Sequence, residues 1–595
     1  MPPRVFTIPS SVPFLPTLID ALSDGRVVDG FAPDRASLGF AGATIFLPTR
    51  RACRLARDAF LEVLDVDAAL LPRIVAIGDI DEDEFAFADA ATGAGAFDAL
   101  ALPPALDAME RRFLLARLVR KWADGMALVT GAPPLVVRHP AAVLALADDL
   151  ARLMDDMTTR EVPWQRLDDL VPDQFDEYWK LTLQFLKIAR EEWPNLLAAL
   201  GVIDAAARRD CLIAAEASRL AAAAPGAPVI AAGSTGSMPS TAKLLATIAS
   251  LPNGAVVLPG LDTELDEEGW NAIGGVARGP GAPPAPAAVA VAGHPQFAIH
   301  ALLTRIGIAR RDVGLLVPPV SHGRETLVSE ALRPAASTDQ WRTRLAEQRF
   351  TDAIAHGLDG VTVIAAGNAE EEALAIAVAL RESLTEPTRI AALVTPDRAL
   401  ARRVGVMLQR WNVAAEDSGG DKLADTPAGA FARLAVEAAF DGLAPAALLA
   451  LLKHKLARLG ADETRHRRAV AALERAILRG PRPRPGSVGL AGAVATLREE
   501  IAKLRRGETS EVHFSDPRAA LSDAELAEAE ALVGRIASAL APLEGLVGTR
   551  HFAELAVRHR QAIAALGTDS AGAVGAFSGA DGEALAAAFD DIAGK

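Results

Sequence analysis

Holding a nucleotide's phosphates takes a glycine-rich turn whose backbone N–H groups converge, together with a Lys for the outer phosphates. Hydrolysing it takes carboxylates that hold magnesium and steer the attacking water. Two turns in this chain lie where such groups would stand, and neither has them. After the β-type run Arg4-Val-Phe-Thr-Ile8 the chain continues Pro9-Ser-Ser-Val-Pro-Phe-Leu-Pro-Thr-Leu-Ile-Asp20. The turn has no Gly and no Lys, and Pro9, Pro13 and Pro16 have no N–H to offer an anion. After Val229-Ile-Ala-Ala232 comes Gly233-Ser-Thr-Gly-Ser-Met-Pro-Ser-Thr241, a partial copy of GxxxxGK[ST] with Met238-Pro239 where Gly-Lys should be. Ser240 or Thr241 could meet a phosphate at a helix N-terminus, or the stretch is simply a strand-to-helix turn with Ser/Thr capping.

In order along the chain, these stretches resemble successive motifs of a superfamily 1 helicase motor. The second fits best the helicase stretch in which an apolar strand ends in Asp-Glu; Ala232 and Gly233 stand at those carboxylate positions. A third stretch, Ile390-Ala-Ala-Leu-Val-Thr-Pro-Asp-Arg-Ala-Leu-Ala-Arg-Arg-Val404, resembles the strand–Arg–Ser/Thr–helix motif entering a second motor domain. Thr395 and Pro396 stand where the nucleotide-contacting Arg is expected.

A net charge of -15 argues against a surface that binds DNA everywhere, so a nucleic-acid path must be a local basic track. The candidates for phosphate contact are Arg50, Arg51 and Arg54, with Arg57 on the same predicted helix, and Arg398, Arg402 and Arg403, with Arg410 beyond. Further clusters are Arg465, Arg467, Arg468 and Arg479, Arg482, Arg484. Each Arg can equally be part of a solvated helix face. The acidic run Asp79-Ile-Asp-Glu-Asp-Glu84 reads as a solvated loop or helix N-terminus before it reads as a metal site. His294 and His300 flank a predicted helix start without a carboxylate placed by spacing. There is no nucleophile elbow, no HExxH and no dinucleotide GxGxxG.

The two cysteines, Cys53 and Cys211, are too few for a cysteine-built zinc or iron–sulfur site and read as buried, reduced thiols of a cytoplasmic protein. No signal-peptide pattern opens the chain and no apolar run is long enough for a membrane span. Hydrophobic residues make up 51% of 595, enough for several packed domains.

The elements that must position these residues follow from periodicity. Ala43-Thr-Ile-Phe-Leu47 is a compact strand ended by Pro48, and Thr49 can cap a helix from Arg50 to Leu64. Strand–helix alternation predicts a parallel α/β sheet in residues 1–104 and 226–300, interrupted by a helical insertion over 105–225. A connecting segment spans 301–359, with a Gly/Pro/Ala-rich loop at Gly274–Gly293 before it. Val361-Thr-Val-Ile-Ala365 and Ile390–Val394 predict strands of a second α/β domain over 360–440, and residues 441–595 read as a helical insertion domain. The fold class expected is thus α/β: two helicase-like, RecA-like parallel-sheet domains with large helical insertions, degenerate in their motifs. The chain reads as truncated.

Val5-Phe-Thr-Ile-Pro9, Ile45-Phe-Leu-Pro-Thr-Arg-Arg-Ala52, Leu71-Pro-Arg-Ile74 and Gly78–Glu84 resemble the AddB subunit of bacterial AddAB helicase–nucleases in its alphaproteobacterial form. So do Ala231-Ala-Gly-Ser-Thr-Gly-Ser237, Val257-Leu-Pro-Gly-Leu-Asp262, His294-Pro-Gln-Phe297, Ala392–Arg398 and Leu451-Leu-Lys-His454. The resemblance spans nearly the whole chain. It implies a role in double-strand break repair by homologous recombination, pairing with the active motor subunit AddA, and scanning of single-stranded DNA by a defunct motor. It also implies a C-terminal nuclease region with Mg and a cysteine-bound iron–sulfur cluster. This chain ends before residues that could supply either, so no cofactor is expected in it and exonuclease activity is in doubt. Two other readings stay open: a motor that hydrolyses ATP through a divergent loop, and a structural subunit that never touches DNA.

Overall fold

The computed structural model describes residues 3–33, 38–66, 68–79, 102–130, 139–167, 176–223, 226–275, 289–320, 323–386, 389–546 and 548–594. They fall into two compact units, Met1–Val363 and Ile364–Lys595.

The first unit is α/β. Its strands are β1 (Val5–Ile8), β2 (Thr44–Leu47), β3 (Arg73–Ala76), β4 (Val229–Ala232), β5 (Gly254–Pro259) and β6 (Gly314–Leu315). They form one sheet in the order β3-β2-β4-β5-β1-β6, with every neighbouring pair parallel. The strand sequences VFTI, TIFL, VIAA and GAVVLP are almost wholly apolar, as a sheet covered on both faces demands. Successive side chains alternate between the two faces. Ile45, Leu47, Ile230, Ala232 and Val257 pack against α1 (Phe14–Ser23) and α2 (Arg50–Leu64). Phe46, Val229, Ala231, Val256 and Leu258 pack on the opposite face with Leu244, Leu245 and Ile248.

Helices fill the chain between β3 and β4. They are α3 (Ala108–Thr130), α4 (Pro140–Thr159), α5 (Asp176–Lys187), α6 (Trp193–Leu200) and α7 (Ala205–Ala223). Leu115, Val119, Ala147, Leu150 and Trp193 give them a core of their own. Arg111 ties the group together, its guanidinium lying 2.9 Å from Asp155 and 2.8 Å from Asp204. After β4 and β5 come α8 (Pro239–Ser250), α9 (Glu267–Ile273) and α10 (Phe297–Ile306). Beyond β6 lie α11 (Arg324–Ala331) and α12 (Gln348–Gly357).

The second unit is helical. The expected strand runs Val361–Ala365 and Ile390–Val394 form no ladder, which corrects the sequence reading of 360–440 as sheet-bearing. A strand is stable only with a hydrogen-bonded neighbour, and these runs have none among the described residues. Val363, Ile390 and Val394 are 89%, 95% and 92% exposed. The helices that follow them do form: α13 (Ala369–Ser383), capped by Asn368, and α14 (Arg398–Gln409), capped by Asp397. They pack on each other through Ala373, Ala377, Leu400, Val404 and Leu408. A larger core built on Phe431, Leu451, Leu473, Val494, Ile536 and Ile563 holds the helices from Pro427 to Ala593. No helix among the described residues is long and apolar enough to cross a membrane.

Candidate functional site

In an open parallel sheet, ligands bind outside the carboxyl ends of the strands where neighbouring strands send their connections to opposite faces. Here β1 leads into α1 on one face, while its neighbour β5 leads into elements of the other. The crevice at that switch point is bounded by the turns after β1, β2, β4 and β5. These are the positions at which the sequence lacks nucleotide chemistry.

The turn after β1 is blunt. Pro9 is buried, and Pro13 stands at the N-cap of α1 without a side-chain cap bond. Val12 N–H donates back to the Pro9 carbonyl at 3.3 Å. Ser11 N–H donates to Glu325 Oε1 at 3.3 Å, so a carboxylate of the protein itself already takes a donor that a phosphate would use. Pro16 lies within α1.

The turn after β4 has an apolar surround instead. Gly233 follows Ala232 with φ +76, and its N–H donates to the Val257 carbonyl at 2.9 Å. A Cβ at Gly233 would lie 3.4 Å from Phe14 Cε1 and 3.6 Å from Pro48 Cδ. An aromatic edge and a proline ring thus face the turn after β4, and Ala232 is completely buried. Ile8, Val12, Leu15, Leu47 and Pro259 complete the apolar lining of this hollow.

Ser240 and Thr241 do not cap α8, which corrects the capping expected from the sequence. The N-cap is Met238 and makes no side-chain bond. Ser240 is buried and its hydroxyl donates to Asp210 Oδ1 at 3.0 Å, drawn by a carboxylate on α7 that would also repel an anion. Ser234 instead caps the turn, its Oγ accepting from Gly236 N at 3.3 Å.

Beside the hollow, under β1, β5 and β6, lies a cleft of about 490 Å³. Asp262, Glu264 and Glu325 line it, and its one guanidinium, Arg324, is turned to the carbonyls of Gly357 and Asp359 at 3.0 and 2.6 Å. His294 braces the rim. Its Nδ1 accepts from Gln296 N at 3.1 Å, so Nε2 carries the proton and donates to the Leu332 carbonyl at 2.9 Å. Behind the cleft Asp266 caps α9 and pairs with Arg333 at 2.6 Å and with Arg344. Burial pushes the Asp266 carboxyl up, but the Arg333 hydrogen bond, the Gly269 N–H and the two guanidinium charges outweigh it and hold it at about 2.

The arginines proposed from sequence divide into three kinds. Arg50, Arg51 and Arg54 are exposed on the outer side of α2, whose inner side buries Cys53, Ala56 and Phe60; Thr49 Oγ1 caps the helix by accepting from Ala52 N at 3.1 Å. Arg398 and Arg402 face carboxylates. Arg398 forms a two-pronged pair with Asp417 at 3.0 and 2.6 Å, and Arg402 lies 3.6 Å from Asp421 and 3.8 Å from Asp425. The Arg398 hydrogen bond holds the Asp417 carboxyl well down, at about 2. Arg403 is exposed and makes no ion pair or hydrogen bond among the described residues. Exposed pairs of this kind add little to the stability of a fold, so a phosphate could displace them at small cost. Thr395 accepts from Asp397 N at 3.0 Å, and Asp397 caps α14 through Ala399 N and Leu400 N, so this turn serves the helix alone.

Of the other candidates, Arg465 pairs with Glu528 at 3.3 Å, Arg467 with Glu463 at 2.5 Å and Arg479 with Glu474 at 2.7 Å. Residues 80–84 of the acidic run lie outside the described residues, as do residues 276–288 of the Gly/Pro/Ala-rich loop. Cys53 is buried and Cys211, expected to be buried, is exposed on α7. An iron–sulfur cluster takes four thiolates, and two cysteines so placed do not fit one. Among the described residues no three His, Cys, Asp or Glu side chains stand close enough to hold a metal ion.

No protein-family profile matches the chain, and no curated protein matches it in sequence.

Proposed function

We propose that this chain is an AddB-like subunit of a DNA helicase–nuclease, a degenerate helicase fold that binds single-stranded DNA passively during double-strand break repair. Its motor partner would be an AddA-like subunit. The observation that carries the reading is the apolar lining of the crevice: Phe14 and Pro48 lie against Gly233, and Glu325 occupies the Ser11 N–H. A parallel sheet that keeps the switch-point layout but has hydrocarbon and carboxylate where phosphate and magnesium would sit suits binding without turnover. The order in which β5 separates β1 from β4 also supports a RecA-like first domain.

DNA contact rests on the exposed arginines of α2 and on Arg403. Strand-protection footprinting of the chain with its motor partner tests it: protected nucleotides assigned to this chain are expected, and their absence would leave only a structural role. A structural subunit without DNA contact is the second reading. The carboxylates that hold Arg398 and Arg402 favour it.

A further inference from the structure

We infer that the cleft under β1, β5 and β6 is a binding site for a guanidinium group carried on an aliphatic stem. Three half-buried carboxylates converge on it, and each has one oxygen spent. Asp262 Oδ1 accepts from Glu264 N at 2.9 Å and Leu265 N at 3.0 Å. Glu264 Oε2 accepts from Thr326 Oγ1 at 3.1 Å, and Glu325 Oε1 from Ser11 N at 3.3 Å. Their other oxygens have no partner among the described residues. These bonds fix the orientation of the carboxylates before any ligand arrives.

A second observation comes from the wall. Ser329, on α11, lines the cleft and is 7% exposed, yet its hydroxyl has no hydrogen-bond partner among the described residues. A buried hydroxyl without a partner is uncommon in a folded protein and marks a place where a polar group is missing.

The charge balance selects the ligand. Three carboxylates against one guanidinium that is already bound to carbonyls repel phosphates and attract a cation. The carboxylates do not close into a group that could hold a metal ion. A planar guanidinium, with five N–H groups in a rigid fork, can spread its donors over carboxylates so separated. At the mouth Leu315 and Leu332 are 49% and 45% exposed, an apolar lip for the methylene stem of such a group. The ligand is a free alkylguanidine or an arginine side chain presented by a polypeptide, and the site is independent of whether the chain binds DNA.

Calorimetric titration of the full chain with agmatine and with a short blocked peptide holding one arginine, each beside its citrulline counterpart, tests this. At least one guanidinium ligand should bind, with its citrulline counterpart weaker by about tenfold or more. Tighter binding of agmatine assigns the site to a free small molecule; tighter binding of the peptide assigns it to a partner's side chain. Glu325→Gln and, separately, Glu264→Gln should weaken the bound ligand by about tenfold, with unfolding curves confirming that each variant folds. No heat at millimolar ligand, or equal affinity for guanidinium and citrulline forms on the unaltered chain, would overturn the inference. So would unchanged affinity in a folded Glu325→Gln or Glu264→Gln protein.

Discussion

The Phe14 ring lies against the α-carbon of Gly233, so that a methyl group added there would come within 3.4 Å of Phe14 Cε1. Two residues more than two hundred positions apart thus meet at ordinary van der Waals distance and give the turn after β4 an apolar neighbour. Gly233 is left-handed, with φ +76, a conformation that costs an ordinary side chain about 1–2 kcal/mol. Placing a carboxylate there should therefore do harm without creating a nucleotide site. Gly233→Asp is expected to lower unfolding stability by about 1–3 kcal/mol in denaturant titration. It should give no Mg·ATP binding by equilibrium dialysis. Nucleotide binding by this variant would mean that the hollow is a latent nucleotide site despite its apolar lining.

Asp266 makes the first unit acid-sensitive. Its carboxyl is held at about 2, below its usual value of 3.8, by Arg333 and Arg344 against the opposing effect of burial. A depressed folded-state value contributes stability that is present above pH 4 and is lost as pH falls through 2. With the carboxylate partly exposed, that contribution is about 1–2 kcal/mol. Asp266→Asn keeps the cap on Gly269 N but leaves Arg333, whose side chain is 0% exposed, short of a counter-charge. A loss of about 2–4 kcal/mol is expected at neutral pH. The mutant's loss relative to the parent should shrink near pH 2 in a pH series of urea melts.

Arg403 and Arg398 should behave differently toward DNA although five residues apart in sequence. Arg403 has no partner among the described residues, whereas Arg398 is clamped by Asp417 and by the Gly420 carbonyl at 2.8 Å. Arg403→Ala is expected to weaken single-strand binding and flatten the log Kd against log salt line by about 0.7. Arg398→Ala should move both less. Anisotropy titrations at several salt concentrations measure this, and a larger effect at Arg398 would show that DNA opens the Asp417 pair.

Arg50 and Arg51 begin α2 on its exposed side. Replacing both by Ala should weaken single-strand binding and lower the salt slope by about one or two ions. The helix itself should persist, because its cap is Thr49 and its inner face is apolar. Unchanged affinity in the double mutant would remove α2 from the DNA path.

Strands β1, β2, β4 and β5 were legible, but β3 and β6 were not, because a parallel strand covered on both faces is written as an apolar run ended by Pro or Gly and the edge strands are shorter or more polar. Leu47-Pro48 and Ala232-Gly233 are such ends. The cap at Thr49 was legible too, since it depends on neighbours three residues apart. What fills the crevice was not. Glu325 reaches Ser11 across 314 positions, and no local spacing encodes that contact. The strands expected at 361–365 and 390–394 show the converse. Val363 and Ile390 have the right residue types, but a strand depends on its neighbour as well as on itself, and none among the described residues pairs with them. At Ser240 the residue type predicted a cap, and a carboxylate from α7 outcompeted the helix for its hydroxyl.

The proposed function is passive binding of a nucleic-acid strand by a fold whose switch-point crevice is lined with hydrocarbon. Fluorescence anisotropy of a labelled single-stranded oligonucleotide with the isolated chain, titrated with and without Mg·ATP at fixed salt, tests it most directly. One salt-sensitive binding curve, the same in both conditions, is the result predicted. No binding at low salt, or an affinity that shifts when Mg·ATP is added, would contradict it.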